Sequence, residues 1–153
     1  MQPGDLLYPI GVCGQVLYVF GRMRVREIVP VGGDRRLLEE YFARYARWRF
    51  LARTCTTEVV TGCEGTGVHF DRPVPGEILK RLTYQPRRGP RLVRHVSQDG
   101  RLLHAVSVQG IYRLAGSSAA DLDATLAGPP GEPVPPSWPQ RRPYVPDNMD
   151  PLF

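Results

Sequence analysis

The clearest hydrophobic pattern runs from Arg91 to Leu114, RLVRHVSQDGRLLHAVSVQGIYRL. Leu92, Arg94, Val96 and Leu102, His104, Val106 alternate there with Val93, His95, Ser97 and Leu103, Ala105, Ser107. Asp99-Gly100 between alternating segments predicts a β-hairpin through a type I′ turn, whose central residues need φ > 0. Both faces carry apolar groups, which predicts a hairpin covered on each side, the back wall of a small curved sheet. Gln109-Gly110 is expected to bend the chain into a third short strand through Ile111, Tyr112 and Leu114.

Earlier in the chain, Gly4-Asp5 predicts a turn into a short strand, Leu6-Leu7-Tyr8, stopped by Pro9. Gly11 and Gly14-Gln15 predict a reversal, followed by a long strand over 16–29. Met23 and Val25 alternate there with Arg22, Arg24 and Arg26, the period of a strand with one wet face. Gly21 predicts a bulge or bend in that strand. Asp34 is placed to cap a helix over 35–52, whose Leu37, Leu38, Tyr41, Phe42, Tyr45 and Trp48 recur at three- and four-residue steps. Further strands are expected at 58–60 and 68–70, with loop at 62–67. Pro75 suits the first turn of a short helix over 76–82, because its missing N–H needs no partner there. Ser118 followed by Asp121 predicts a capping-box start for a helix over 119–126, ended by Gly128.

From Gly128 onward nine of the sixteen prolines fall in 26 residues. Such a run forms neither helix nor ladder and is expected to lie extended, as a tail or as a strap across the domain. The predicted organisation is therefore one domain over 1–127 and a Pro-rich tail over 128–153. The chain of 153 residues is long enough for a core without disulfide or metal staples. The three cysteines, Cys13, Cys55 and Cys63, form no zinc-type CxxC spacing. No metal and no cofactor are expected. No run approaches the length of a membrane span and no signal peptide is legible, so a cytoplasmic location without membrane attachment is expected.

The formal net charge is +5, and Lys80 is the only lysine. Guanidinium groups match phosphate, carboxylate and aromatic faces better than an ammonium does. A basic, arginine-rich body suits a polyanionic partner.

The order of elements, together with particular residues, resembles the PUA-like barrels and within them the EVE and EVE-like group. The residues that carry the likeness are Pro3-Gly4-Asp5 with Leu6-Leu7-Tyr8, then Leu17-Tyr18-Val19-Phe20-Gly21-Arg22. They continue in Phe70-Asp71-Arg72-Pro73-Val74-Pro75 with Leu79 and Leu82, and in 107–114 before the Ser-Ala-Ala-Asp-Leu helix. The resemblance implies an α+β fold, a small PUA-like β-barrel with flanking helices, and a pocket for a flipped or modified base or another small ligand. It also implies a strand before the Gly-Asp turn, where this sequence begins at Met1. The barrel is then expected to be either incomplete or closed by the C-terminal tail or by a second subunit.

The leading functional expectation is a non-catalytic nucleic-acid or modified-base binding module for DNA or RNA. Tyr8, Tyr18 or Trp48 would supply a ring face, Arg22, Arg24 and Arg113 would meet phosphate, and Ser107 and Gln109 would read a base edge. The alternative is an interaction protein whose tail mediates self-association into a homo-oligomer or docks on another protein. A hydrolase or nuclease ranks last. His69, His95 and His104 are scattered, and no nucleophile elbow, HExxH or phosphate loop occurs. His95 and His104 are nonetheless expected to face each other across the hairpin.

Overall fold

The computed structural model describes residues 1–30, 36, 58–85, 89–108 and 110–135. Of the helix expected over 35–52, only Arg36 is among them, and it is helical and exposed. The chain divides into two compact units, each built from two separate segments: Met1–Pro9 with Gly21–Val68, and Ile10–Phe20 with His69–Phe153. The fold is mixed α and β with antiparallel strands. The described strands form one three-stranded and two two-stranded sheets, and no ring of paired strands closes among them.

In the first unit β1 (Leu6–Leu7), β4 (Met23–Pro30) and β5 (Glu58–Cys63) pair in the order β1-β4-β5. The Gly4-Asp5 turn is clamped onto β4 from both sides. The Gly4 N–H donates to Val25 O at 2.8 Å, and the Val25 N–H donates to Asp5 O at 2.8 Å. Val25 itself is 1% exposed. Gly62 and Cys63, expected in a loop, continue β5 because they pair with Val25 and Arg24. Between Val25 and Glu27 the β4–β5 register shifts, leaving Arg26 as the extra residue of a bulge.

The second unit opens with the hairpin of β2 (Ile10–Cys13) and β3 (Val16–Val19), which reverses at Gly14-Gln15 as the pattern predicts. The strand expected over 16–29 is split at Gly21, whose added Cβ would sit 2.9 Å from Thr66 Oγ1. Residues 72–74 lie along β3. The Val19 N–H donates to Arg72 O and the Val74 N–H to Leu17 O. Both bonds flank Pro73, so the N–H that proline lacks is not needed there. Beyond them the Gly131 and Val134 N–H groups donate to Asp71 O and Phe70 O, so the start of the Pro-rich segment lies extended on its own chain.

Helix α1 (Gly76–Arg81) begins directly after Pro75, with Glu77 in its first turn and Lys80 and Arg81 in its last, each sign matching the helix dipole. Helix α2 (Gly116–Ala127) packs on β3 and on α1. Its Ser118, Leu122 and Leu126 recur every four residues and are buried. Leu17, Val19, Leu79, Leu102 and Leu122 are at most 1% exposed and form the core of this unit. Burying each contributes roughly 1.5–3 kcal/mol.

Further expectations need correction. The long hairpin over 91–107 is absent. Arg91–Leu92 (β7) instead pairs with Thr83–Tyr84 (β6), and only Val96 bridges Leu102 across the Asp99-Gly100 turn. The Leu102 N–H donates to Gln15 O, which draws the return segment to the β2–β3 turn, and Ala105–Val108 coils into a 3₁₀ turn. The turn is also not type I′, since Gly100 alone has positive φ, at +78°. The Gly100 N–H donates to Ser97 O, giving a three-residue loop that ends in a left-handed glycine.

The strand expected at 68–70 is a loop, in which the His69 N–H donates to Phe20 O and Val68 is 73% exposed. The third strand through 111–114 shrinks to a single bridge, Leu114 to Tyr84. Finally, α2 starts at Gly116 with Ala115 as N-cap and no capping side chain. Ser118 is not a cap because the residue is buried within the helix, 1% exposed, and its hydroxyl accepts a 2.8 Å bond from the Thr83 N–H.

Candidate functional site

The arginine row leading into and along β4 is more constrained than its period suggests. The Arg22 N–H donates to Thr66 Oγ1 at 2.9 Å and Arg22 O accepts from the Thr66 N–H at 2.9 Å, which pins that residue's backbone. The Arg24 Nε donates to Glu64 Oε2 at 3.0 Å and its Nη1 to Gly4 O at 3.1 Å. Glu64 reaches it from a left-handed conformation, φ +50°, just past the end of β5. Arg24 therefore ties β4 to both neighbouring segments of its own sheet. Arg26, thrust out by the bulge, is exposed and has no ion-pair partner among the described residues. Tyr8 follows β1 and is half-buried.

In the second unit Tyr18 is 4% exposed, so its ring is core rather than an open face. Burial first, then the nearby Cys13 and Glu132, push its phenol above the ordinary tyrosine value. Ser107 sits in the 3₁₀ turn with its N–H on His104 O at 3.0 Å. Its hydroxyl is buried without a hydrogen-bond partner among the described residues. Arg113 is exposed and unpaired among the described residues, and its carbonyl accepts from the Gln85 N–H at 2.7 Å. Trp48 and Gln109 lie outside the described residues. The six described candidates thus fall as Tyr8, Arg22 and Arg24 in one unit and Tyr18, Ser107 and Arg113 in the other. Among the latter three no mutual hydrogen bond or ring contact occurs.

His95 and His104 do meet, with ring centroids 5.1 Å apart in an edge-on arrangement. Both are exposed, and His95 holds a left-handed φ of +57°. His69 Nδ1 lies 3.9 Å from Asp71 Oδ1. That same oxygen has the Arg72 guanidinium 3.1 Å away as an ionic neighbour, at an angle that makes no hydrogen bond. The Arg72 Nε donates to Leu126 O at 3.3 Å, a cation at the C-terminal turn of α2. Cys13 and Cys63 are half-buried thiols. Among the described residues no group of three or more side chains is placed to hold a metal ion, and no helix is long and apolar enough to cross a membrane.

A further cluster has no counterpart among the candidates read from the sequence. Tyr84 on β6 and Tyr112 lie with ring centroids 5.0 Å apart at 50°, and Arg91 on β7 is the direct cross-strand partner of Tyr84. A two-residue strand carries no legible period, which is why β6 escapes pattern reading. The one available signal is Tyr84 standing just before the basic stretch Arg87-Arg88. Comparison with protein-family models, curated proteins and solved structures found no match.

Proposed function

We propose that this chain is a non-catalytic nucleic-acid or modified-base binding module of the PUA-like, EVE-like kind, acting in the cytoplasm. The observation that supports this reading is a set of exposed guanidinium groups. Arg26, Arg91, Arg94 and Arg113 have no ion-pair partner among the described residues, whereas Arg24, Arg72, Lys80, Arg81 and Arg101 are each paired with a carboxylate. Unpaired arginines keep their full capacity for bidentate phosphate contact and release counterions when they make it. The formal charge of +5 acts in the same direction.

The test is fluorescence anisotropy against a panel of single- and double-stranded DNA and RNA, with and without modified bases, over a salt series. Affinity is expected to fall linearly on log–log axes. Arg26→Ala is expected to lower the slope by about 0.7–0.9, the contribution of one phosphate contact. Arg26 is a cleaner probe than Arg24, whose guanidinium also holds Glu64 and Gly4 in place. Salt-insensitive binding, or none across the panel, would reject the proposal.

A second reading, self-association through the tail, draws on one observation. The 131–134 segment adds alongside Phe70 and Asp71 by backbone hydrogen bonds, a mode that a second copy could supply equally well. Deletion of residues 129–153, which removes that segment, with mass measured by light scattering, separates the two. Loss of a dimer would favour the interaction protein.

A further inference from the structure

We infer that Tyr84 and Tyr112, with Arg91 beside them, form a stacking platform for an unpaired base of a single-stranded nucleic acid. This deepens the binding reading above and rests on it. Tyr84 and Arg91 are paired residues of an antiparallel ladder, so their side chains stand on one face about 5 Å apart at Cβ. On its other edge Tyr84 bridges Leu114, and alternation puts Tyr112, two residues back, on that same face, where the 5.0 Å ring contact is found. Three short segments therefore converge two phenol rings and one guanidinium.

The rings are not sealed into a core. Tyr112 is 44% exposed, its neighbour Ile111 is 76% exposed, and Arg91 is exposed without an ion-pair partner among the described residues. Arg113, likewise exposed and without an ion-pair partner among the described residues, stands between Tyr112 and Leu114, so the same alternation turns it to the opposite face and leaves Arg91 as the guanidinium beside the rings. An aromatic face bordered by an unneutralised arginine is complementary to a base stacked on the ring with its phosphate alongside. Duplex bases hide their faces in the stack, so the occupant is single-stranded or locally unpaired.

The experiment titrates the full-length chain with fluorescein-labelled oligothymidylate and oligouridylate of about 12 nucleotides, within the usual site size of single-strand binders. The two arms distinguish DNA from RNA. Tyr112→Ala is expected to weaken binding about tenfold or more, and Tyr112→Phe, which keeps the ring face, to retain it. Arg91→Ala should lower the log-salt slope by about 0.7. Proton NMR of the unaltered chain supplies a readout independent of any folding defect, with the Tyr84 and Tyr112 ring protons expected to move upfield on titration. Binding that survives Tyr112→Ala with unmoved ring signals would overturn the platform and leave the module reading standing. Absence of binding to both oligonucleotides would overturn the platform, and the module reading falls with it only if the wider panel of duplexes and modified bases is also left unbound.

Discussion

At the scale of single residues, Gly100 meets two requirements of which the sequence displays only one. Its φ of +78° is what a glycine after aspartate suggests, but an added Cβ would also overlap the backbone of Gly76 at the start of α1. The Asp99-Gly100 turn is thus seated on a helix end with no room for a methyl group. The left-handed conformation alone costs an L-residue about 1–2 kcal/mol, and forced overlap in a packed region adds roughly 1–3. Gly100→Ala is therefore expected to destabilise the fold by about 2–5 kcal/mol in urea denaturation. A loss of only about 1–2 kcal/mol, the range for conformation alone, would show that the turn and α1 are not in contact. Ser118 makes a similar point with a hydroxyl. Its replacement by alanine strands the Thr83 N–H, and a loss of about 1–3 kcal/mol is expected, the penalty of an unsatisfied buried donor.

At the scale of elements, α1 and α2 are joined by a two-point ion pair. The Arg81 Nε donates to Asp121 Oδ2 at 2.9 Å and its Nη2 to Asp121 Oδ1 at 2.6 Å. This guanidinium holds the Asp121 carboxyl below its ordinary value. A depressed folded-state value means that the carboxylate's contribution is complete above the unfolded value, about 3.9, and is lost as pH falls through the lower folded one. Melting curves of the parent and Asp121→Asn should accordingly differ at neutral pH and converge in acid below about pH 4. A constant offset down to low pH would mean that packing, not charge, joins the helices. In the other unit the bulge at Arg26 ends the simple alternation of β4. Exposure follows alternation as far as Val25, after which Arg26 and Glu27 are exposed in succession.

At the scale of the whole molecule, each compact unit draws on two stretches that are distant in sequence. The segment after His69 therefore lacks part of its own core. Leu17 and Val19, both 0% exposed, belong to the hairpin over 10–20, and Val74 and Leu102 bond to Leu17 and Gln15 of that hairpin. A fragment of residues 69–153 is expected to give a collapsed, poorly dispersed amide spectrum. A fusion supplying residues 10–20 should restore dispersion. A well-dispersed spectrum from 69–153 alone would show that the division is more contiguous than described.

Local chemistry was enough to place the Gly4-Asp5 turn, the β2–β3 reversal at Gly14-Gln15, a departure from regular strand at Gly21, the start of α1 after Pro75 and the meeting of His95 with His104. Each depends on residues within a few positions of one another, through glycine and proline backbone limits or the geometry of one tight turn. Pairing between distant segments was decided only by the tertiary structure. Arg91–Leu92 pairs with Thr83–Tyr84, Leu102 turns to Gln15, Ser118 serves Thr83 rather than its own helix, and Tyr84 meets Tyr112. Strand partners are chosen by which apolar faces can be buried together in three dimensions, and a period-two pattern states only that a face exists. For the same reason the arginines were legible as a class, while which of them are spent on carboxylates and which stay open to a ligand was fixed by the folded chain.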